Sequence, residues 1–353
     1  MKKKFLAAIA AGLIAFGSFN LVDAATRDEI ATIQVKKAKD FKFWTKNSVA
    51  NQKLIEFVTD VTNKKSKNYI PPEDRIATFD MDGTFLCETA PYYFDGMLFI
   101  ERALYDENYT ASESTREFTI GLEKFIRDKT QGDKLGSSAP HQAAVFEGMT
   151  NEEHAAYVRN FMKKPVEGLT NLKYGESFYL PMVEVIKYLQ ANDFKVYVVS
   201  GSERNLIRVL VCDVLKLPTN QIIGTDIKFL AAHQDKDGLD YTYRADDYLI
   251  RGEFVIKNLK MNKVSRIAEE IGKQPVLAFG NSSGDAAMLN YTINRNKYRS
   301  MAFFLICDDV ERELGNLNRA RKDKKLAEDN GWIPISMQND FKTIYGDNVK
   351  LDK

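Results

Sequence analysis

The chain is poor in several residues whose abundance would mark a function. Only three of its 353 residues are cysteine. Cys87, Cys212 and Cys307 are an odd number at wide spacing, which suits neither a disulfide framework nor a zinc site. One disulfide stays open in an oxidising compartment, with no pair singled out. The three histidines, His141, His154 and His233, lack ligand spacing. An excess of one charge is also missing. Lys+Arg number 50 and Asp+Glu 49, which argues against a broad nucleic-acid surface, since that needs clustered positive charge. With 44% hydrophobic residues, 9 Pro and 20 Gly, the composition excludes a disordered or collagen-like chain. No apolar run reaches 18 residues, so no segment reads as a comfortable membrane span.

What is present begins at the N-terminus. Lys2, Lys3 and Lys4 precede an apolar stretch from Phe5 to Phe16, and Val22-Asp23-Ala24 supplies small residues where a signal peptidase cuts. Residues 1–24 therefore read as a signal peptide, with an uncleaved N-terminal anchor as the other reading of the same stretch. The expectation is an exported protein with no stable membrane insertion after cleavage, periplasmic in a two-membrane host and secreted in a one-membrane host. The length suggests roughly two domains.

From Ala25 to Tyr69 the pattern is polar and mostly helical, with Phe41, Phe43, Trp44, Leu54, Ile55 and Phe57 as contacts onto the body. Short apolar runs follow at Arg75 to Phe79, Lys195 to Val199, Gln221 to Ile223, Pro275 to Phe279 and Ser300 to Ile306. Continuous apolar runs separated by helix-like stretches suit strands buried on both faces. The fold class is thus α/β, a doubly wound parallel sheet. Residues 91–175 are too long for a simple crossover and read as helices at Met97 to Leu104, Phe118 to Lys129 and Asn151 to Met162. They form an inserted helical cap, leaving 25–90 and 176–353 as the core. A second insertion, Phe229 to Phe254, carries Asp235-Lys236-Asp237-Gly238 and reads as a β-hairpin with a tight turn.

Ligands of doubly wound sheets bind beyond the carboxyl ends of the strands. The first run leads into Asp80-Met81-Asp82-Gly83-Thr84, the second into Ser200-Gly201-Ser202, and the fourth into Gly280-Asn281-Ser282-Ser283-Gly284-Asp285. A Lys-rich helix start at Lys257, Lys260 and Lys263 precedes the fourth. Two carboxylates with a further oxygen donor suit Mg²⁺, and Mg²⁺ with a lysine and backbone N–H groups suits a phosphoryl group. A carboxylate held there can attack phosphorus, while a second carboxyl protonates the leaving oxygen and then activates water.

These residues resemble the motifs of the haloacid dehalogenase (HAD) superfamily of phosphohydrolases, in order and spacing, across roughly residues 73 to 345. Asp80-x-Asp82-Gly83-Thr84 looks like motif I, Ser200 like motif II, Lys263 like motif III and Gly280 to Asp285 like motif IV. The insertion is similar to the C1-type cap of the phosphoserine and phosphorylcholine phosphatase-like branches. The resemblance implies that Asp80 is nucleophile and Mg²⁺ ligand, and that Asp82 is general acid/base and lends its main-chain carbonyl to the metal. It also implies that Thr84 orients Asp82, that Ser200 and the Gly201 N–H bind the phosphoryl group, and that Lys263 is the catalytic lysine, with Lys260 as runner-up. Asn281 and Asp285 complete the metal site, Asp285 as an outer or a direct ligand. Lys257, Lys260 and Lys273 otherwise read as a solvated helix face.

One departure concerns Asn281, which stands where motif IV commonly has Asp and brings no charge to the metal. Glu88, Tyr92 and Tyr93 leave motif I towards the cap. In the phosphoserine phosphatase-like branch a Glu near this point contacts the substrate amine, so Glu88 is a candidate substrate-binding residue for a cationic group, packing at the junction being the plainer reading. The expected activity is Mg²⁺-dependent hydrolysis of a small-molecule phosphomonoester through an aspartyl-phosphate. The alternatives are a HAD-fold binding protein with weak or no turnover, and a HAD hydrolase cleaving a non-phosphoester bond. Asp82 weighs against a dehalogenase, which lacks this second carboxylate.

Overall fold

A computed structural model describes residues 24–128 and 136–352, so all of the expected leader except Ala24 lies outside the described residues. Seven strands form one sheet: β1 (Ile76–Phe79), β2 (Lys195–Glu203), β3 (Ile222–Ala231), β4 (Leu249–Ile256), β5 (Leu277–Gly280), β6 (Met301–Ile306) and β7 (Ile333–Ser336). Their order is β4-β3-β2-β1-β5-β6-β7. Every pairing is parallel except β3 with β4. The expected α/β class with a doubly wound parallel sheet is what the chain adopts.

The apolar runs become central strands because both faces are covered by helices. In chain order the helices of six or more residues are α1 (Arg27–Thr32), α2 (Val49–Thr62), α3 (Phe94–Ile100), α4 (Glu113–Asp128), α5 (Ala139–Ala144), α6 (Asn151–Phe161), α7 (Leu180–Ala191), α8 (Arg204–Leu215), α9 (Met261–Glu270), α10 (Ala286–Ile293) and α11 (Leu317–Asp329). All residues of β1 and β5 are buried. Parallel register aligns Phe79, Phe279 and Phe303 across β1, β5 and β6. Their rings stack at 4.2 and 4.9 Å, directly beneath the loops that carry the acidic residues. The N-terminal segment docks as its aromatics suggested: the Trp44 indole donates to the Pro181 carbonyl, and the Glu184 carboxylate accepts the Lys42 and Phe43 N–H groups.

Three details differ from expectation. β2 runs on through Ser200, Gly201 and Ser202 to Glu203, with a register irregularity against β3 after Val199. β7 was not foreseen; it is a short edge strand carrying Pro334, whose missing N–H is tolerated where no further strand pairs. The β3–β4 hairpin exists but has no tight turn. Its strands are joined by residues 232–248, organised around Asp247, which accepts from the His233 and Arg244 N–H groups and the Tyr241 hydroxyl. Asp235 to Gly238 is only one bend of that loop.

Between β1 and α7 the chain makes α3 to α6, α3 continuing into a π-helical turn, Glu101–Tyr105. These helices lean on β4: Gly148 N–H donates to the Arg251 carbonyl, and Arg251 N–H donates to the Met149 carbonyl. Cys87, Cys212 and Cys307 form no disulfide. Among the described residues no helix is long and apolar enough to cross a membrane.

Candidate active site

Asp80 sits one residue past β1, and its N–H donates to the Phe279 carbonyl of neighbouring β5 at 2.9 Å. The loop then turns tightly, with the Thr84, Phe85 and Leu86 N–H groups all directed to the Met81 carbonyl. Gly83 has φ +78°, and a Cβ there would lie 1.9 Å from Asn281 Nδ2. Only glycine lets the Asn281 amide rest on this loop.

Lys263 lies in the first turn of α9, fully buried, with Nζ 2.6 Å from both Asp80 Oδ1 and Asp285 Oδ1. Burial opposes its charge, but Asp285 and Asp80 hold the ammonium above its ordinary pKa. Lys260 is exposed and engages the site through its backbone, its N–H donating to the Gly284 carbonyl and its carbonyl accepting the Lys263 N–H. The lysine that reaches Asp80 is therefore Lys263.

Asp82 is held from an unexpected side. Thr84 Oγ1 lies 3.5 Å from Asp80 Oδ2 and 3.4 Å from Asn281 Oδ1, fully buried, and makes no bond to Asp82. Instead the Ser202 hydroxyl donates to Asp82 Oδ2 at 2.7 Å. Thr84 neither orients Asp82 nor faces the cleft, because the loop turns its side chain inward. Ser202 itself is fixed by its N–H, which donates to Ser200 Oγ at 3.1 Å. Ser200 and Gly201 both face the cleft.

Asp285 is bonded at both oxygens. Its Oδ1 accepts from Lys263, and its Oδ2 accepts from the Asn281 and Ser282 N–H groups and the Ser282 hydroxyl. These bonds make it a brace for the lysine and the Asn281 loop, which suits the outer of its two expected metal roles. Glu88 lines the cleft, but its charge is already answered by a protein cation. It is buried at the side chain and paired with Arg319 of α11 at 3.0 Å. Lys257 precedes α9 rather than belonging to its exposed face, and lines the cleft half-buried. Asp95, Ser138 and Gln142, from the helical segment, line it too and carried no recognisable motif. None of the three histidines does.

The cleft, about 210 Å³, gathers Asp80, Asp82, Glu88, Asp95 and Asp285. Burial, with Asp285 beside it, pushes the Asp80 carboxyl up against the pull of Lys263. Burial, then Asp95 and Asp80, push Asp82 well above the carboxylate range. Burial raises Glu88, opposed by Arg319. Burial is the largest cause in each case, and neighbouring carboxyls add to it. Asp82 Oδ1 is buried without a partner. Among the described residues no three His, Cys, Asp or Glu side chains are grouped as metal ligands, so a cation would use neutral oxygens as well. Asp80 Oδ2, a main-chain carbonyl and Asn281 Oδ1 are hard-oxygen donors of the kind Mg²⁺ takes, and the carboxyl-rich lining fits a divalent ion.

A family model described as haloacid dehalogenase-like hydrolase matches residues 77–290. No curated protein matches the chain. Among solved structures, a protein of unknown function from Bordetella pertussis Tohama I is 16% identical, with a TM-score of 0.45, covering 74% of this chain and 97% of that one. A functionally unknown protein from Anaerococcus prevotii DSM 20548 is 15% identical at TM-score 0.48, covering 81% and 91%. Cytosolic 5'-nucleotidase IIIB bound to cytidine is 14% identical at TM-score 0.48, covering 81% and 84%. The family model spans more than half of the chain, from β1 into α10, and the protein belongs to the haloacid dehalogenase-like hydrolases.

Proposed function

We propose that the chain is an exported, Mg²⁺-dependent phosphomonoester hydrolase acting on a small molecule through a phosphorylated Asp80. The observation that supports this most is the 2.6 Å contact from buried Lys263 to Asp80 Oδ1 at the base of an acid-rich cleft. One oxygen of Asp80 is held by an ammonium, and the other lies 3.5 Å from the Thr84 hydroxyl. Export rests on the leader read from residues 1–24.

In this reading Asp80, the Asp82 main-chain carbonyl and Asn281 would hold Mg²⁺, which would neutralise the phosphoryl oxygens and lessen their repulsion from Asp80. Ser200 Oγ and the Gly201 N–H position the phosphoryl group. The Asp80 carboxylate attacks phosphorus as the bond to the leaving oxygen breaks. Asp82, kept protonated by burial and its acidic neighbours, gives its proton to that oxygen. The resulting carboxylate takes a proton from water as the water oxygen attacks phosphorus, and Asp80 is released with inorganic phosphate. Ser202 keeps the Asp82 carboxyl aimed throughout. Residues 91–175 serve as the cap that excludes bulk water in the first step.

The test is phosphate release from a panel of small phosphomonoesters. Steady release with Mg²⁺, abolished by EDTA and by Asp80→Asn, is expected. A folded protein inactive across the panel would favour the binding-protein reading, for which the uncharged Asn281 is the supporting feature.

A further inference from the structure

A second cavity adjoins the cleft and shares Asp95 and Gln142 with it. Its volume is about 20 Å³, enough for one small polar group. Arg251 of β4 stands in its wall with a side chain 2% exposed. Its Nη2 lies 3.3 Å from Glu203 Oε2, while Nε and Nη1 have no partner among the described residues. Glu203 cannot turn to serve them, because its two oxygens already accept the Asn205 and Leu206 N–H groups at the start of α8. His154 of α6 also faces the cavity with Nδ1 unpartnered. Buried donors of this kind are ordinarily bonded, so two on one guanidinium call for an acceptor.

We propose that this cavity is the substrate's distal subsite, in which Arg251 donates to an uncharged carbonyl-type oxygen at the far end of the phosphomonoester. The inference rests on the phosphatase reading and adds a substrate class to it. The polarity of the guest follows from its surroundings. The Arg251 charge is already matched by Glu203, and Asp95 adds a negative charge at the passage between the cavities, so an entering carboxylate would be repelled. An ammonium would meet the guanidinium. Leu98, Phe146, Leu206 and Ile227 supply apolar walls, and the small volume admits only the oxygen end, so the hydrocarbon that carries it lies towards the cleft beside Asp95 and Gln142. His154 adds no charge, since burial, with Arg251 beside it, drives its pKa down to about 3.

The experiment compares kcat/KM for phosphomonoesters of N-acetylated amino alcohols with about two to six methylene groups between ester and amide. Each is set against its ammonium, carboxylate and plain hydrocarbon counterpart. At one spacer length the amide should exceed the hydrocarbon by about tenfold or more, as expected for filling a buried donor. In Arg251→Met, and in Arg251→Met with Glu203→Gln, which removes both charges together, that ratio should fall to within about threefold. Equal rates for amide and hydrocarbon at every length would overturn the subsite and leave the phosphatase standing, as would a preference for the carboxylate. The wild-type series decides this alone if a variant does not fold. No release from any ester would overturn the phosphatase reading and the subsite with it.

Discussion

The Ser202 hydroxyl donates to Asp82 Oδ2 across 2.7 Å, tying the extension of β2 to the loop that follows β1. In Ser202→Ala the Asp82 carboxyl loses its aiming partner but keeps its place in the chain. We expect kcat to fall roughly 10- to 100-fold with KM little changed, the size typical of losing a group that orients a reacting one. Steady-state kinetics on the best phosphomonoester checks this, and a change confined to KM would assign Ser202 to substrate binding instead.

Gly83→Ala tests the close approach of Asn281 to the acidic loop. The added methyl would meet Asn281 Nδ2 at 1.9 Å, at a φ of +78° that alanine resists. The Asn281 amide must move, so the Mg²⁺ concentration giving half-maximal activity should rise roughly 10- to 100-fold. Titration calorimetry with Mg²⁺ alone gives the same comparison without turnover.

The Glu88–Arg319 pair should respond asymmetrically to its two truncations. Arg319 is 42% exposed at the side chain and can rehydrate, whereas Glu88, at 3%, cannot. Arg319→Gln strands a buried carboxylate and should cost about 1 to 3 kcal/mol, below the full range for a wholly buried pair. Glu88→Gln should cost less. Urea denaturation of the two variants measures the difference, and equal losses would contradict it.

His154 makes stability depend on pH in a defined direction. Burial, then Arg251, lower its folded pKa from 6.5 to about 3. Between those values the unfolded chain binds a proton that the folded chain refuses. The contribution is thus fully present above pH 6.5 and declines as pH falls towards 3. By pH 5 the loss is about 2 kcal/mol relative to pH 8. In His154→Leu that part of the acid sensitivity should vanish, read as the difference between wild-type and variant urea midpoints across the range.

The sheet was legible because β1, β2, β5 and β6 are continuous apolar runs whose ends carry acids and small polar residues in order. β7 was not, since Pro334 in a four-residue edge strand argues against a strand locally, and only its place at the sheet's rim permits it. Asp80 and Lys263 were readable as chemistry because a motif surrounds them. Ser202 stood beside Ser200 in the sequence, yet its contact depends on β2 continuing past Val199, which the apolar pattern does not mark. The partner of Glu88 comes from α11, more than 200 residues along the chain, and no local pattern could announce it. The same holds for Lys257, Asp95 and Gln142, which meet only when the helical segment folds over the strand ends.

Whether Asp80 becomes phosphorylated is measured by acid-quenching the enzyme during turnover of its best phosphomonoester and mapping the phosphoryl group by peptide mass spectrometry. The account predicts an acid-stable, hydroxylamine-labile phosphoryl group on the peptide containing Asp80, absent in Asp80→Asn and from every other carboxylate. Full turnover with no phosphorylated Asp80 under any quench, or turnover that survives Asp80→Asn, would contradict it.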